Sequence, residues 1–155
     1  MMPATIDDLD RKIIAILQRD GRTPYVEMAR ALDVAEGTVR RRVENLIAAG
    51  VIGIAAVTDP FKVGIGVVAL IDLDVDPGHL DDVGMRLVEM PCVRVVAYTT
   101  GVHDLFVEAL FPSQQELLAF LKDELPQIPG IRHTDTSIVL GMLKRSYEWE
   151  IPDAE

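Results

Sequence analysis

DVAEGTVRRRVENLIAAG, residues 33–50, is the stretch whose reading decides the fold. Val39, Val43, Leu46 and Ile47 recur at the spacing of one apolar stripe on an α-helix. With about 100° between successive residues, the opposite face presents Gly37, Thr38, Arg41, Glu44 and Asn45. Arg40 and Arg42 fall on the two flanks of that face. Such a helix docks by an aliphatic side and shows small polar groups and arginines. The DNA major groove asks for those groups, hydrogen-bonding side chains toward base edges and cations toward both phosphate walls. An ordinary solvated surface helix carries the same pattern, so its neighbours must decide between the two.

Upstream, Ile6–Asp20 reads as a helix with Asp7 as its N-cap and Asp8 and Asp10 near its positive end. Leu9, Ile13, Ile16 and Leu17 form its buried stripe, and Gly21 is expected to end it as a C′ glycine. Thr23-Pro24 opens a second, short helix, with threonine capping and proline in the first turn; Met28, Ala29 and Leu32 face inward. Residues 33–35 then turn into the arginine helix. Three helices, the last two joined by a short turn, form a helix-turn-helix. Gly50 stops the third helix, and VIGIAAVT (51–58) before Asp59-Pro60 reads as a strand and turn, which gives a winged version over residues 1–60. The candidate DNA contacts are Thr23, Tyr25, Gly37, Thr38, Arg40, Arg41, Arg42 and Asn45.

Length and composition agree with a soluble globular protein, of one domain or two small ones: 155 residues, 49% of them apolar. The longest uncharged apolar run, Val63–Ile71, is far short of a membrane span. The opening MMPATIDDLD carries acids and no apolar segment of a secretory leader. Cys92 is the single cysteine and reads as a buried thiol in a reducing cytoplasm. The net charge of −10 argues against nucleic acid until it is located. Residues 1–64 hold nine basic and nine acidic residues, so the whole imbalance lies beyond them. Salt confines a charge's field to about 10 Å, so a neutral half with an arginine cluster can bind DNA while an acidic half points away.

After a short linker, residues 61–66, an internal repeat appears at an offset of 38. Met90-Pro-Cys-Val-Arg94 matches Ile128-Pro-Gly-Ile-Arg132; Leu80, Val83 and Leu87 match Leu118, Leu121 and Leu125; Val68-Ala69 matches Phe106-Val107. Each copy reads strand, helix, proline, strand, and two βαβ units give a ferredoxin-like βαββαβ domain over residues 67–141. The strands are apolar on both faces, yet two helices cover only one side of such a sheet. A second copy of the chain is the economical cover for the other, so a homodimer is expected. The tail, residues 142–155, is expected to add a strand and then fray.

Between the second and third strands lies Thr99-Thr-Gly-Val-His-Asp104. A plain hairpin turn accounts for it. The same atoms also suit a zwitterion, with backbone N–H groups at Gly101 for a carboxylate and Asp104 for an ammonium.

The run I-D-D-L-D-R-K-I-I, L-Q-R-D-G-R, V-A-E-G-T-V-R-R-R-V-E-N-L, G-V-I and A-V-T-D-P-F-K-V-G resembles the N-terminal half of the Lrp/AsnC (feast/famine) transcriptional regulators. Their effector half is similar to Gly101-Val102-His103-Asp104 and Thr134-Asp135-Thr136-Ser137, so the resemblance runs to about Gly141. It implies a regulator that binds duplex DNA, responds to a small effector, often an amino acid, and assembles as dimers, commonly into octamers. It also implies effector contacts at Gly101, Val102, His103, Asp104, Thr134 and Thr136. Two positions depart from the pattern. Ala35 stands where the family has a capping serine, leaving Asp33, with Glu36, as the other possible cap. His103 stands where many relatives have tyrosine.

Other functions find less support. His103, Asp104 and His133 lack metal-site spacing, no cofactor motif is present, and Gly64-Ile-Gly66 is no phosphate loop. No nucleophile triad is readable, so an enzyme is not expected. A tetrapyrrole (sirohaem-type) decarboxylase of similar architecture would need a cationic pocket, and the second half is acidic. An amino-acid sensor without DNA binding would have no use for Arg40-Arg41-Arg42.

Overall fold

Asp7 and Asp10 accept hydrogen bonds from each other's backbone N–H groups (2.9 and 3.2 Å, respectively). This reciprocal capping box starts helix α1, Asp8–Arg19. The structure, a computed structural model, describes residues 6–151. Residues 1–5 of the expected DNA-binding domain and 152–155 of the expected tail lie outside the described residues.

Helix α1 does not end on a left-handed Gly21. Asp20 closes it in extended backbone, and its carbonyl takes both the N–H and the hydroxyl of Thr23 (3.1 and 2.8 Å). That occupies the hydroxyl expected to cap helix α2, Tyr25–Leu32, whose N-cap position is Pro24. Asp33 ends α2 in the left-handed region (φ 53°). It therefore cannot cap helix α3, Glu36–Ala48, where Ala35 holds the N-cap without a side-chain bond. Gly50 does stop α3. At φ 68° it allows Val51 N–H to reach Leu46 O and its own N–H to reach Ile47 O, a Schellman closure.

The three helices bury Ile13, Ile14, Met28, Ala29, Val39, Val43 and Leu46 in one core. Each such aliphatic side chain contributes about 1.5–3 kcal/mol relative to remaining in water. Ile47, expected in the stripe, is 45% exposed. It lies roughly 80° around the helix from Val39, whereas Leu46 lies only about 20° away.

The strand expected over residues 51–58 is not formed. A wing needs a second strand to receive its amides, and among the described residues no strand pairs with this segment. Ile54 and Val57 stay exposed on that segment. The chain divides into two compact units, one running to Val57 and rejoined from Lys144 onward, the other Thr58–Leu143. Ile151 packs against the three-helix core, and residues 139–151 add no strand.

The second unit contains β1 (Val67–Val75), α4 (Leu80–Val88), β2 (Val93–Tyr98), β3 (Leu105–Phe111), α5 (Gln114–Ala119) and β4 (Ile131–Ile138). Neighbouring strands are antiparallel in the order β2-β3-β1-β4. β3 begins 38 residues after β1, and β4 begins 38 after β2, so the repeat read in the sequence is the repeat of the fold. Ile71, Leu73, Leu105, Val107, Val83, Leu87 and Phe120 lie in the core between the sheet and its helices. Asp72, Asp74, Phe106 and Glu108 alternate with these and face the other way. Helix α5 widens into a π turn, Phe120–Glu124, and then a 3-10 turn, Leu125–Gln127, where Pro126 has no N–H to continue the helix. Among the described residues no helix is long and apolar enough to cross a membrane.

Candidate functional site

The face of α3 away from its core exposes Gly37, Arg40, Arg41 and Glu44, with Thr38 half-buried. Arg40 is held in place before any ligand arrives. Its Nη2 lies 3.0 Å from Glu36 Oε1 one turn earlier, and its guanidinium sits 5.1 Å over the ring of Tyr25 at the start of α2. Arg41 is exposed on the same face.

Arg42 is placed differently from Arg40 and Arg41. Expected on the outer flank, it turns inward to α1, with Nη1 2.7 Å from Asp7 Oδ2 and 3.2 Å from Asp10 Oδ2. Its side chain is 30% exposed and that of Asp10 only 9%. Removing Arg42 would leave a nearly buried carboxylate uncompensated, so the guanidinium is committed to the fold. The hydrogen bonds with Asp7 and the nearby Asp10 charge raise the Arg42 pKa. The Asp10 backbone N–H, and then Arg42, lower the Asp7 pKa. Asn45 borders the same side, lining with Asp10, Arg42 and Leu46 a cleft of about 200 Å³. Thr23 is half-buried with its hydroxyl engaged, and Tyr25 lies beneath Arg40. Of the eight expected DNA contacts, the structure brings Tyr25, Gly37, Thr38, Arg40 and Arg41 to one surface. Arg42 and Asn45 lie toward α1.

In the second unit, Gly101 turns the 99–104 loop at φ 122°, where a side chain would be strained, and Val102 projects into solvent. Asp104 stitches the loop to β1. Its N–H donates to Leu73 O (2.9 Å), and its Oδ2 accepts from Val75 N–H (2.8 Å) beside the bulge at Asp74/Val75. His103 lies against Asp74 and Asp135, and the hydrogen bond to Asp74 raises its pKa against the opposing effect of burial.

The six expected effector residues do not meet in one cavity. Thr134 and Thr136 pair with Leu73 and Ile71 and so share the helix-side face, whereas His103 contacts carboxylates on the opposite face. The link between Thr134 and Asp104 is Arg132, the arginine of the second Pro-x-x-Arg motif. It lines a cavity of about 340 Å³ with Leu121, Leu125, Ile128, Ile131 and Thr134. Its Nη2 reaches to 3.7 Å from Asp104 Oδ2 and its Nε to 3.6 Å from Asp76 Oδ1. Among the described residues no three His, Cys, Asp or Glu side chains are placed to hold a metal ion.

Residues 6–47 match the AsnC-type helix-turn-helix domain, and residues 68–149 match the Lrp/AsnC ligand binding domain. An uncharacterized HTH-type transcriptional regulator of Pyrococcus furiosus is 43% identical, over 92% of this chain and 97% of its own. The HTH-type transcriptional regulator FL11 of the same organism is 36% identical, over 95% and 97%. Among solved structures, a transcriptional regulator of Neisseria meningitidis in complex with L-Met superposes with TM-score 0.82 at 26% identity, over 96% of this chain and 97% of that one. E. coli AsnC superposes with TM-score 0.80 at 28% identity, over 94% and 100%.

Proposed function

The chain belongs to the Lrp/AsnC family of transcriptional regulators, and from that premise we propose that it reads specific DNA sequences through α3 under the control of an amino-acid effector. One observation carries the DNA half of this reading: Arg40 and Arg41 stand exposed on the outer face of α3, and Arg40 is already braced by Glu36 and Tyr25. A braced guanidinium loses less freedom on meeting a phosphate, and Arg41, beside Gly37 and Thr38, has the reach and donors for a base edge. A sensor without DNA binding would gain nothing from such bracing.

For the effector half, Arg132 lines a cavity that also holds Leu121, Leu125 and Ile131, and Asp104 supplies the opposite charge 3.7 Å from the Arg132 guanidinium. An amino acid has the matching ammonium and carboxylate, and its side chain would lie among Leu121, Leu125 and Ile131. The L-Met bound to the Neisseria regulator supports this ligand class. The exposed Ile138, Leu140, Met142 and Leu143 support assembly with further copies of the chain, and membership of the family supports dimers that build octamers in the cytoplasm. An effector then acts by favouring one assembly state over another.

A thermal-shift screen of the full chain against the standard amino acids, with particle size measured in parallel, tests the reading. One or a few amino acids should raise the unfolding midpoint and alter the size distribution. A flat response to all of them removes the effector half.

A further inference from the structure

His103 presents both ring nitrogens to carboxylates. Nδ1 lies 2.8 Å from Asp74 Oδ1 on β1, and Nε2 lies 3.3 Å from Asp135 Oδ2 on β4. An ionised carboxylate can only accept, and a neutral imidazole has a single N–H to donate. The Nδ1 contact is a hydrogen bond that the neutral ring can keep, whereas the Nε2 contact is one of charge, and only the imidazolium carries the charge that answers it. The ring is one residue from Asp104 and closes the loop whose other end is pinned by the Thr99 hydroxyl on His103 O (2.8 Å).

We propose that His103 is a proton-operated clip, which fastens the Thr99–Asp104 loop across β1 and β4 when protonated and releases it when neutral. The consequence for a bound effector rests on the reading of that loop given above; the clip itself does not.

The charges around the ring favour this behaviour from each neighbouring element. β1 contributes Asp72 and Asp74. β4 contributes Asp135, whose other oxygen lies 3.5 Å from His133 Nε2. The loop contributes Asp104, already engaged by Val75 N–H and Arg132, and Asp76 also faces Arg132. Phe106, the first outward residue of β3, is uncharged. Loss of the His103 proton leaves Asp72, Asp74 and Asp135 without the cation that joins them. A pKa raised in the folded state gives stabilisation that is complete below the unfolded value of about 6.5. It is lost as pH rises through the folded value, so release comes on the alkaline side.

The chain has three histidines, His79, His103 and His133, so their imidazole titrations can be separated by NMR of the full-length protein with His→Gln variants made one at a time. The resonance missing from His103→Gln should titrate above about 6.5, and Asp74→Asn should bring it down. In parallel, hydrogen-exchange protection of residues 99–104, corrected for intrinsic rates, should fall several-fold between about pH 6 and about pH 9. That fall should be largely absent in His103→Gln. A wild-type His103 that titrates at or below the ordinary value overturns the proposal, as does an equal loss of protection in His103→Gln. Neither readout uses a ligand. A titrating clip on a loop that binds no amino acid removes only the effector reading, and a non-titrating His103 on a loop that does bind removes only the clip.

Discussion

Arg42 and Asp10 meet at 3.2 Å across 32 positions of sequence and pin the first helix of the DNA-binding unit to the third. Arg42→Ala should therefore lower the thermal midpoint of the protein more than Arg41→Ala does, because a nearly buried carboxylate loses its partner. Its salt dependence of DNA binding should stay at the wild-type slope. A normal midpoint with a reduced slope would return Arg42 to the phosphate contacts.

Arg41 and Arg40 should separate in a binding assay run at several salt concentrations. Arg41→Ala should lose about 1–3 kcal/mol of discrimination between operator and mismatched DNA. Arg40→Ala should weaken all duplexes alike and reduce the salt slope by about one. Tyr25→Leu should act in the same direction as Arg40→Ala but more weakly, since it removes the brace and keeps the charge.

Ala35 leaves the first turn of α3 without a side-chain acceptor. Its extended backbone (φ −70°, ψ 143°) is the conformation a serine cap adopts. Ala35→Ser should raise stability by about 1 kcal/mol in urea unfolding. No gain would mean that the orphan N–H groups of that turn are already well solvated.

Asp104 does structural work beside any part in ligand binding. Asp104→Ala leaves the N–H of buried Val75 without its acceptor and should cost about 1–3 kcal/mol. Asp104→Asn keeps an oxygen for that N–H while removing the charge. It should recover most of the stability yet fail to respond to the amino acid that shifts the wild type. Full response in Asp104→Asn would exclude an ammonium contact there.

The Asp7 carboxyl is held below the ordinary range by the Asp10 N–H and then by Arg42. A depressed folded pKa gives stabilisation that is present above the unfolded value, about 3.9, and is lost as pH falls through the folded one. Urea midpoints followed downward from about pH 5 should drop, and the drop should be shallower in Asp7→Asn. Parallel curves for the two proteins would refute the linkage.

The features that local chemistry controls were legible in the residues. Asp7 caps α1, Gly50 closes α3, Val39, Val43 and Leu46 are buried, and the 38-residue offset recurs in the strands. What escaped depended on partners distant in the chain. A helical wheel puts Arg42 on a flank but cannot foresee Asp10 beside it. Thr23 caps nothing because Asp20 claims its hydroxyl. The alternation of β4 separates Thr134 and Thr136 from Asp135, but only register with β1 says which set faces the helices. Arg132 was visible as half of a repeated motif. Its place beside Asp104 follows from strand order, which the motif does not encode.

The equal offset of the strand pairs makes the sheet two copies of one unit, one ending at Tyr98 and the next starting at Leu105. The 99–104 loop is thus the join between duplicated halves and belongs to neither. Its solvent-facing tip at Val102 can be rewritten without touching the bonds that Asp104 makes to β1. A single scaffold can in this way acquire new chemical sensitivities at its mortise while the timbers stay as they were.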